Sequence, residues 1–220
     1  MGEVELNKSA GEFIIRSVIC CYGDAALPEI AEQIGKDISL HWNEPGAIIS
    51  IGSTEYSVKF EIEGRYTPDL KPETVWYNDD PSMNFFRIEE FVMGNISFVD
   101  GLGCNTGYFK LDNLLQTSTT AAHEYGHTLG LSHPKNLDIR GSGQPGIMYP
   151  RGTICDPHFQ YIAEAKPASA GGTLNPAYRK VTMEDILALR LHKIFFNEKL
   201  RGKIGEFSSI FHEKHTAPAV

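Results

Sequence analysis

One eleven-residue stretch carries the side chains to hold a metal ion and activate a water beside it. Residues 123–133 read His123-Glu124-Tyr125-Gly126-His127-Thr128-Leu129-Gly130-Leu131-Ser132-His133. On an α-helix, positions i and i+4 share a face about 6 Å apart along the axis, so His123 and His127 can reach one ion. Glu124 points about 100° round the helix from His123, beside the metal rather than on it. Gly130 accepts a positive φ, which lets the helix stop and the chain turn sharply, bringing His133 back as a third ligand. Three protein ligands leave a fourth position open, the arrangement of a catalytic rather than a structural zinc. Such an ion lowers the pKa of a water to about 7 and polarises a carbonyl. Glu124 would take the water's proton and deliver it to a leaving amine. The chemistry implied is amide-bond hydrolysis with one zinc ion.

Other elements must place this stretch. Residues 13–22, rich in β-branched and aromatic side chains, read as a central strand. Leu27, Ile30, Ala31, Ile34, Ile38 and Trp42 recur at helical spacing, with Pro28 in the first turn, so they form a core stripe; His41 then sits at the surface or boundary. Residues 47–51 and 56–63 read as strands joined by a hairpin at Gly52-Ser53-Thr54. Residues 74–78 read as another strand, ended by a turn at Asp79-Asp80-Pro81-Ser82. Strands at 94–99 and 106–111 precede a metal-binding helix over about 116–130. Residues 1–11 are polar and read as loose. Residues 134–178 are rich in Gly, Pro and small polar residues and read as loop, loosest at 168–172. His158 and Tyr161 fall within it and read as surface residues. A last helix is expected over 182–197, with Ile186, Leu189, Arg190 and Ile194 on one stripe and His192 structural. His212 and His215, three apart, could bind metal but read better as part of a flexible tail. Cys20 and Cys21 adjoin in a strand and face opposite sides. Cys104 and Cys155 would both lie around the cleft and could form a disulfide.

The 220 residues, 41% hydrophobic, suit one domain with a sizeable core. A net charge of −8 disfavours nucleic acid and anionic membranes as partners. No run of apolar residues is long enough to span a membrane. Residues 1–6 lack the basic region and apolar run of a signal peptide.

In the stretch 121–133 and in Gly146-Ile147-Met148-Tyr149-Pro150 the chain resembles the metzincins, zinc endopeptidases with an extended zinc motif and a methionine turn. Within them it is most similar to the matrixin (matrix metalloproteinase-like) family, because Tyr149 directly follows Met148; in astacins and serralysins the tyrosine falls two residues after the methionine. The resemblance implies an α/β (α+β) zincin fold: a twisted mixed sheet carrying the active-site helix in an upper lobe (about 12–131), and a small irregular lower lobe (about 132–220) ending in a helix. It implies His123, His127 and His133 as zinc ligands, Glu124 as general base, and Met148 as a hydrophobic floor under the ion. Thr119 would set the depth of the pocket beyond the cut, its small side chain leaving that pocket open. The 94–99 strand, with Ile96, would pair with substrate from the upper rim, and Tyr149 and Pro150 would meet it from below. Asp185 resembles an aspartate that ties the last helix to the methionine turn; Thr182-x-x-Asp185 reads equally well as a capping box.

Departures from the family also matter. No Pro-Arg-Cys-Gly segment is present, the His and Asp set for structural zinc and calcium is missing, and 107–113 has a single aspartate. One catalytic zinc and no required calcium are therefore expected. The implied partner is a polypeptide substrate, and the protein is expected to be a monomer, secreted or periplasmic with its leader removed; a cytoplasmic location stays open. Two alternatives stand beside this: a narrow-specificity or toxin-like zinc amidohydrolase, and an inactive zinc-stabilised binding module.

Overall fold

The computed structural model describes residues 1–115, 119–161 and 173–216. Its eight strands are β1 (Gly2–Asn7), β2 (Glu12–Tyr22), β3 (Ile48–Ile51), β4 (Thr54–Tyr66), β5 (Met83–Glu89), β6 (Phe98–Val99), β7 (Thr106–Lys110) and β8 (Arg201–Ile204), joined in one sheet. The helices are α1 (Pro28–Asn43), α2 (Pro72–Trp76), α3 (Leu111–Leu114), α4 (Thr120–Thr128) and α5 (Met183–Ala188). The main path runs β3-β4-β2-β5-β7-β6. Its four central strands are parallel, while β3 and β6 are antiparallel edges. The long β2 pairs through residues 12–16 with β1 and through 18–22 with β5, so these two follow one another along one side of it. This mixed sheet with few helices is an α+β fold of zincin-like build.

The main core lies between the sheet and helices α1 and α4. A smaller cluster of Cys20, Tyr22, Val75 and Phe85 covers the other face. Cys20 and Cys21 thus lie in different clusters, on opposite faces as their adjacency requires. Helix α1 starts at Pro28 and buries Ala31, Ile34, Ile38 and Trp42. Gly64 lets it sit directly on β4: a Cβ there would come within 1.7 Å of the Ala31 carbonyl oxygen. The hairpin at Gly52-Ser53 closes with Gly52 at φ 62°.

Several expectations from the sequence are corrected. Residues 1–11 are not loose, for they supply β1, with Val4 and Leu6 buried. Its glutamates gave a polar reading, but Glu5 pairs with Arg16, and Glu3 and Glu5 with Arg201 on the neighbouring strands. Residues 74–78 are not a strand; Pro72 starts the short helix α2 through Trp76 instead. The edge strand of 94–99 shrinks to Phe98–Val99, because Gly94 and Asn95 hold φ of 84° and 58°, outside any strand. The last helix ends at Ala188. Arg190 takes a left-handed φ of 52°, a short 3₁₀ turn follows over Leu191–Lys193, and His192 there is exposed. The chain then returns to the upper sheet as β8 against β1.

The C-terminal segment is no flexible tail through residue 216. His212 Nε2 meets the Asp100 carboxylate at 2.9 Å, and the His215 ring stacks on Tyr108 with centroids 4.3 Å apart. Neither histidine belongs to a metal-binding cluster among the described residues. Cys104 and Cys155 are free thiols, not a disulfide. His158 and Tyr161 are exposed as expected. The expected loose stretch at 168–172 lies outside the described residues.

Candidate metal centre

Helix α4 carries the first two histidines, and the structure explains why it stops where it does. Gly130 takes φ 92°. The Leu131 amide then bonds the Gly126 carbonyl and the Gly130 amide the His127 carbonyl, at 3.0 Å each. This left-handed cap pairs carbonyls that would otherwise be orphaned and turns the chain back toward the helix. Its start differs from expectation: the helix begins at Thr120, and residues 116–118 lie outside the described residues. Two buried bonds fix the helix from behind. Trp42 Nε1 donates to the Ala122 carbonyl at 3.0 Å, and the Tyr125 hydroxyl meets Ser17 Oγ at 2.8 Å.

The turn brings three imidazoles together. His133 Nε2 lies 3.1 Å from both His123 Nε2 and His127 Nε2. His123 Nδ1 donates to the Ile147 carbonyl and His127 Nδ1 to the Leu131 carbonyl, at 2.7 Å each. Those donations place the proton on Nδ1 and leave Nε2 as a lone pair facing the centre. Burial pushes His123 well below its ordinary pKa and lowers His127 and His133 as well, so the neutral, ligating form is favoured. Three lone pairs at this spacing fit one cation: a tetrahedral centre with bonds of about 2.0–2.1 Å separates its nitrogens by about 3.3 Å. The three histidines could therefore hold a metal ion.

Glu124 sits beside this set and lines the same cavity, of about 490 Å³. Burial pushes its carboxyl up to about 8, with Arg179 pulling it the other way. Other walls of the cavity are Ile96, Phe98 and Val99 on one side, and Pro150 and Arg151 on the other.

Met148 is buried, its Sδ packed against the helix: a Cβ on Gly126 would approach it to 2.4 Å. Asp185 satisfies both of its readings at once. Its Oδ2 accepts from the Thr182 amide at 2.8 Å, closing a capping box, and its carboxylate also accepts from the Ile147 backbone, next to Met148.

Not every expected residue reaches the cavity. Thr119 does not line an open pocket. It is buried, donates to the Pro176 carbonyl at 2.7 Å and accepts from Arg179 Nε at 2.8 Å, so Thr120 lines the cavity in its place. Tyr149 lines a second hollow with Met148 and Asp185, while its carbonyl accepts from Arg179 at 3.2 Å. Ile96 and Pro150 do line the cavity. Sequence reasoning missed Arg179, which nothing in its neighbourhood of the chain marks out. It also missed Gly126, for which a signal existed: a glycine inside a helix is unfavourable and needs a reason.

No family model and no curated protein matches the sequence. Among solved structures, the chain is similar to a structure of myroilysin, with 13% identity and a TM-score of 0.34 over 87% of this chain and 98% of that one. Among the described residues no helix is long and apolar enough to cross a membrane.

Proposed function

We propose that this chain is a zinc-dependent endopeptidase, a single catalytic domain of matrixin-like type. The observation that carries the reading is the convergence of three Nε2 lone pairs on one point beside the buried carboxylate of Glu124. A zinc ion held by His123, His127 and His133 supplies Lewis acidity, making water nucleophilic at neutral pH and polarising a carbonyl. Glu124 takes a proton from the attacking water onto its carboxylate and returns it to the leaving amine. Its burial supports this role, because desolvation raises the affinity of a carboxylate for a proton. Met148 is the methionine of the turn, supported by its close seat under Gly126. An extended peptide would lie along β6, an edge strand of the sheet, with Ile96 above and Pro150 below. The matrixin-like reading favours a location outside the cytoplasm and calls for one zinc, with no calcium required.

The test is cleavage of a mixed peptide library read by mass spectrometry, wild type against Glu124→Ala, with zinc content measured in both. Glu124-dependent cuts with one zinc per chain are expected. A zinc-loaded wild type that cuts nothing would overturn a general endopeptidase. Cuts that persist in Glu124→Ala would remove Glu124 from the role of base.

A further inference from the structure

Arg179 is buried at the wall of the cavity, with 6% of its surface exposed. Its Nε donates to Thr119 Oγ1 and its Nη1 to the Tyr149 carbonyl. A guanidinium has five N–H groups in a planar fork, so only part of this donor set is used among the described residues. Burial lowers the group to about 10, which leaves it charged at neutral pH. The carboxylate that shares the cavity, Glu124, acts on it through space without a hydrogen bond between them. Arg151, bonded to Asn113 at 3.1 Å, adds a second positive charge to the same wall. Among the described residues no carboxylate forms a salt bridge with Arg179, and a buried cation left without such a pair is costly to the fold. This one faces the space that a substrate would fill.

Resting on the endopeptidase reading, we propose that Arg179 selects substrates by a carboxylate. The carboxylate enters the cavity beside the metal site and takes the open N–H groups of the guanidinium as a two-point pair. It can come from an acidic side chain next to the cut or from the free C-terminus of a short peptide. An apolar side chain there would leave the charge desolvated and unpaired, so the preference runs against a pocket open to any side chain, such as the small Thr119 suggested.

The experiment is equilibrium binding of three peptide hydroxamates to the zinc-loaded chain, in which the hydroxamate anchors on the metal and the adjoining side chain enters the cavity. One carries Glu and an amidated C-terminus, one Gln and an amidated C-terminus, one Gln and a free C-terminus. A carboxylate compound should bind at least about tenfold tighter than the neutral one, and which of the two does so identifies the source. Arg179→Met should abolish the difference and Arg179→Lys should keep part of it. The wild-type comparison decides even if Arg179→Met fails to fold. Equal or tighter binding of the neutral compound would overturn the inference and leave the endopeptidase reading intact. Failure of all three to bind would overturn both.

Discussion

Arg179 and Thr119 are joined by a buried hydrogen bond of 2.8 Å, from guanidinium Nε to hydroxyl oxygen. Thr119 stands at the N-terminal cap of the helix that carries His123 and His127, and its own hydroxyl proton goes to Pro176. The bond therefore ties the segment before α5 to the mouth of the metal centre. Replacing Thr119 by Val keeps the shape and removes both partners. It should cost about 1–3 kcal/mol, because the buried guanidinium Nε and the Pro176 carbonyl are left unpaired. Thr119→Ser should retain most of the stability. Urea denaturation of the two variants against wild type checks the order.

Gly126 and Met148 occupy one space. Gly126→Ala should improve intrinsic helix propensity by up to about 1 kcal/mol, yet the new methyl meets Met148 Sδ. Overpacking of about 1–3 kcal/mol should outweigh the gain. Combining it with Met148→Ala should relieve the clash, so a double-mutant cycle should show coupling between the two sites. Additive effects would mean that the methionine moves aside freely.

Asp185 links stability to pH. Burial raises its carboxyl above the ordinary 3.8, although Thr182 and Ile147 donate to it. A folded-state pKa above the unfolded one contributes stability that is full below the unfolded value and is lost as pH rises through the folded value. Asp185→Asn does not titrate. The melting temperature of wild type relative to Asp185→Asn should therefore fall as pH rises from about 3.8 upward through that window. A flat difference across it would show that the carboxylate is fully compensated. Asp185→Ala, which loses the capping box and the Ile147 bond together, should cost about 1–2 kcal/mol, the loss shrinking as pH rises through that window.

The C-terminal segment braces the rim of the cleft. The His212 ring packs edge-on against Phe98 and Tyr108 and bonds Asp100, while Asp100 also accepts from Thr106. His212→Ala should cost about 1–2 kcal/mol. It should also speed amide hydrogen exchange around residues 98–100, raising KM more than it lowers kcat. Unchanged exchange at the rim would confine the role of His212 to the tail itself.

The metal centre was legible because its chemistry is local: three histidines and a glycine within one turn-and-cap carry their own geometry. Helix α1 was legible because one of its faces is dry and the other wet. The central strand β5 was not. Six of the seven residues of Met83–Glu89 are buried, packed on both faces, and no alternation survives to mark them. β1 hid behind glutamates that pair with Arg16 on the adjoining strand and with Arg201, far along the chain. Arg179 was invisible for the same reason. Its meaning comes from Thr119, Tyr149 and Glu124, and no spacing in the sequence connects them.

The pairing of β1 with β8 has a consequence for the order of folding. Arg201 reaches Glu3 across 198 residues of chain, and the two strands share a ladder from Gly2 to Glu5. Contacts of such separation pay a large loop-closure entropy before they return anything. On a ribosome the histidine triad emerges well before residues 201–204 do, so the fold around it can be sealed only after synthesis has passed them. A chain interrupted before β8 would present its metal ligands on a sheet with β1 left as an open edge, a form exposed to misassociation.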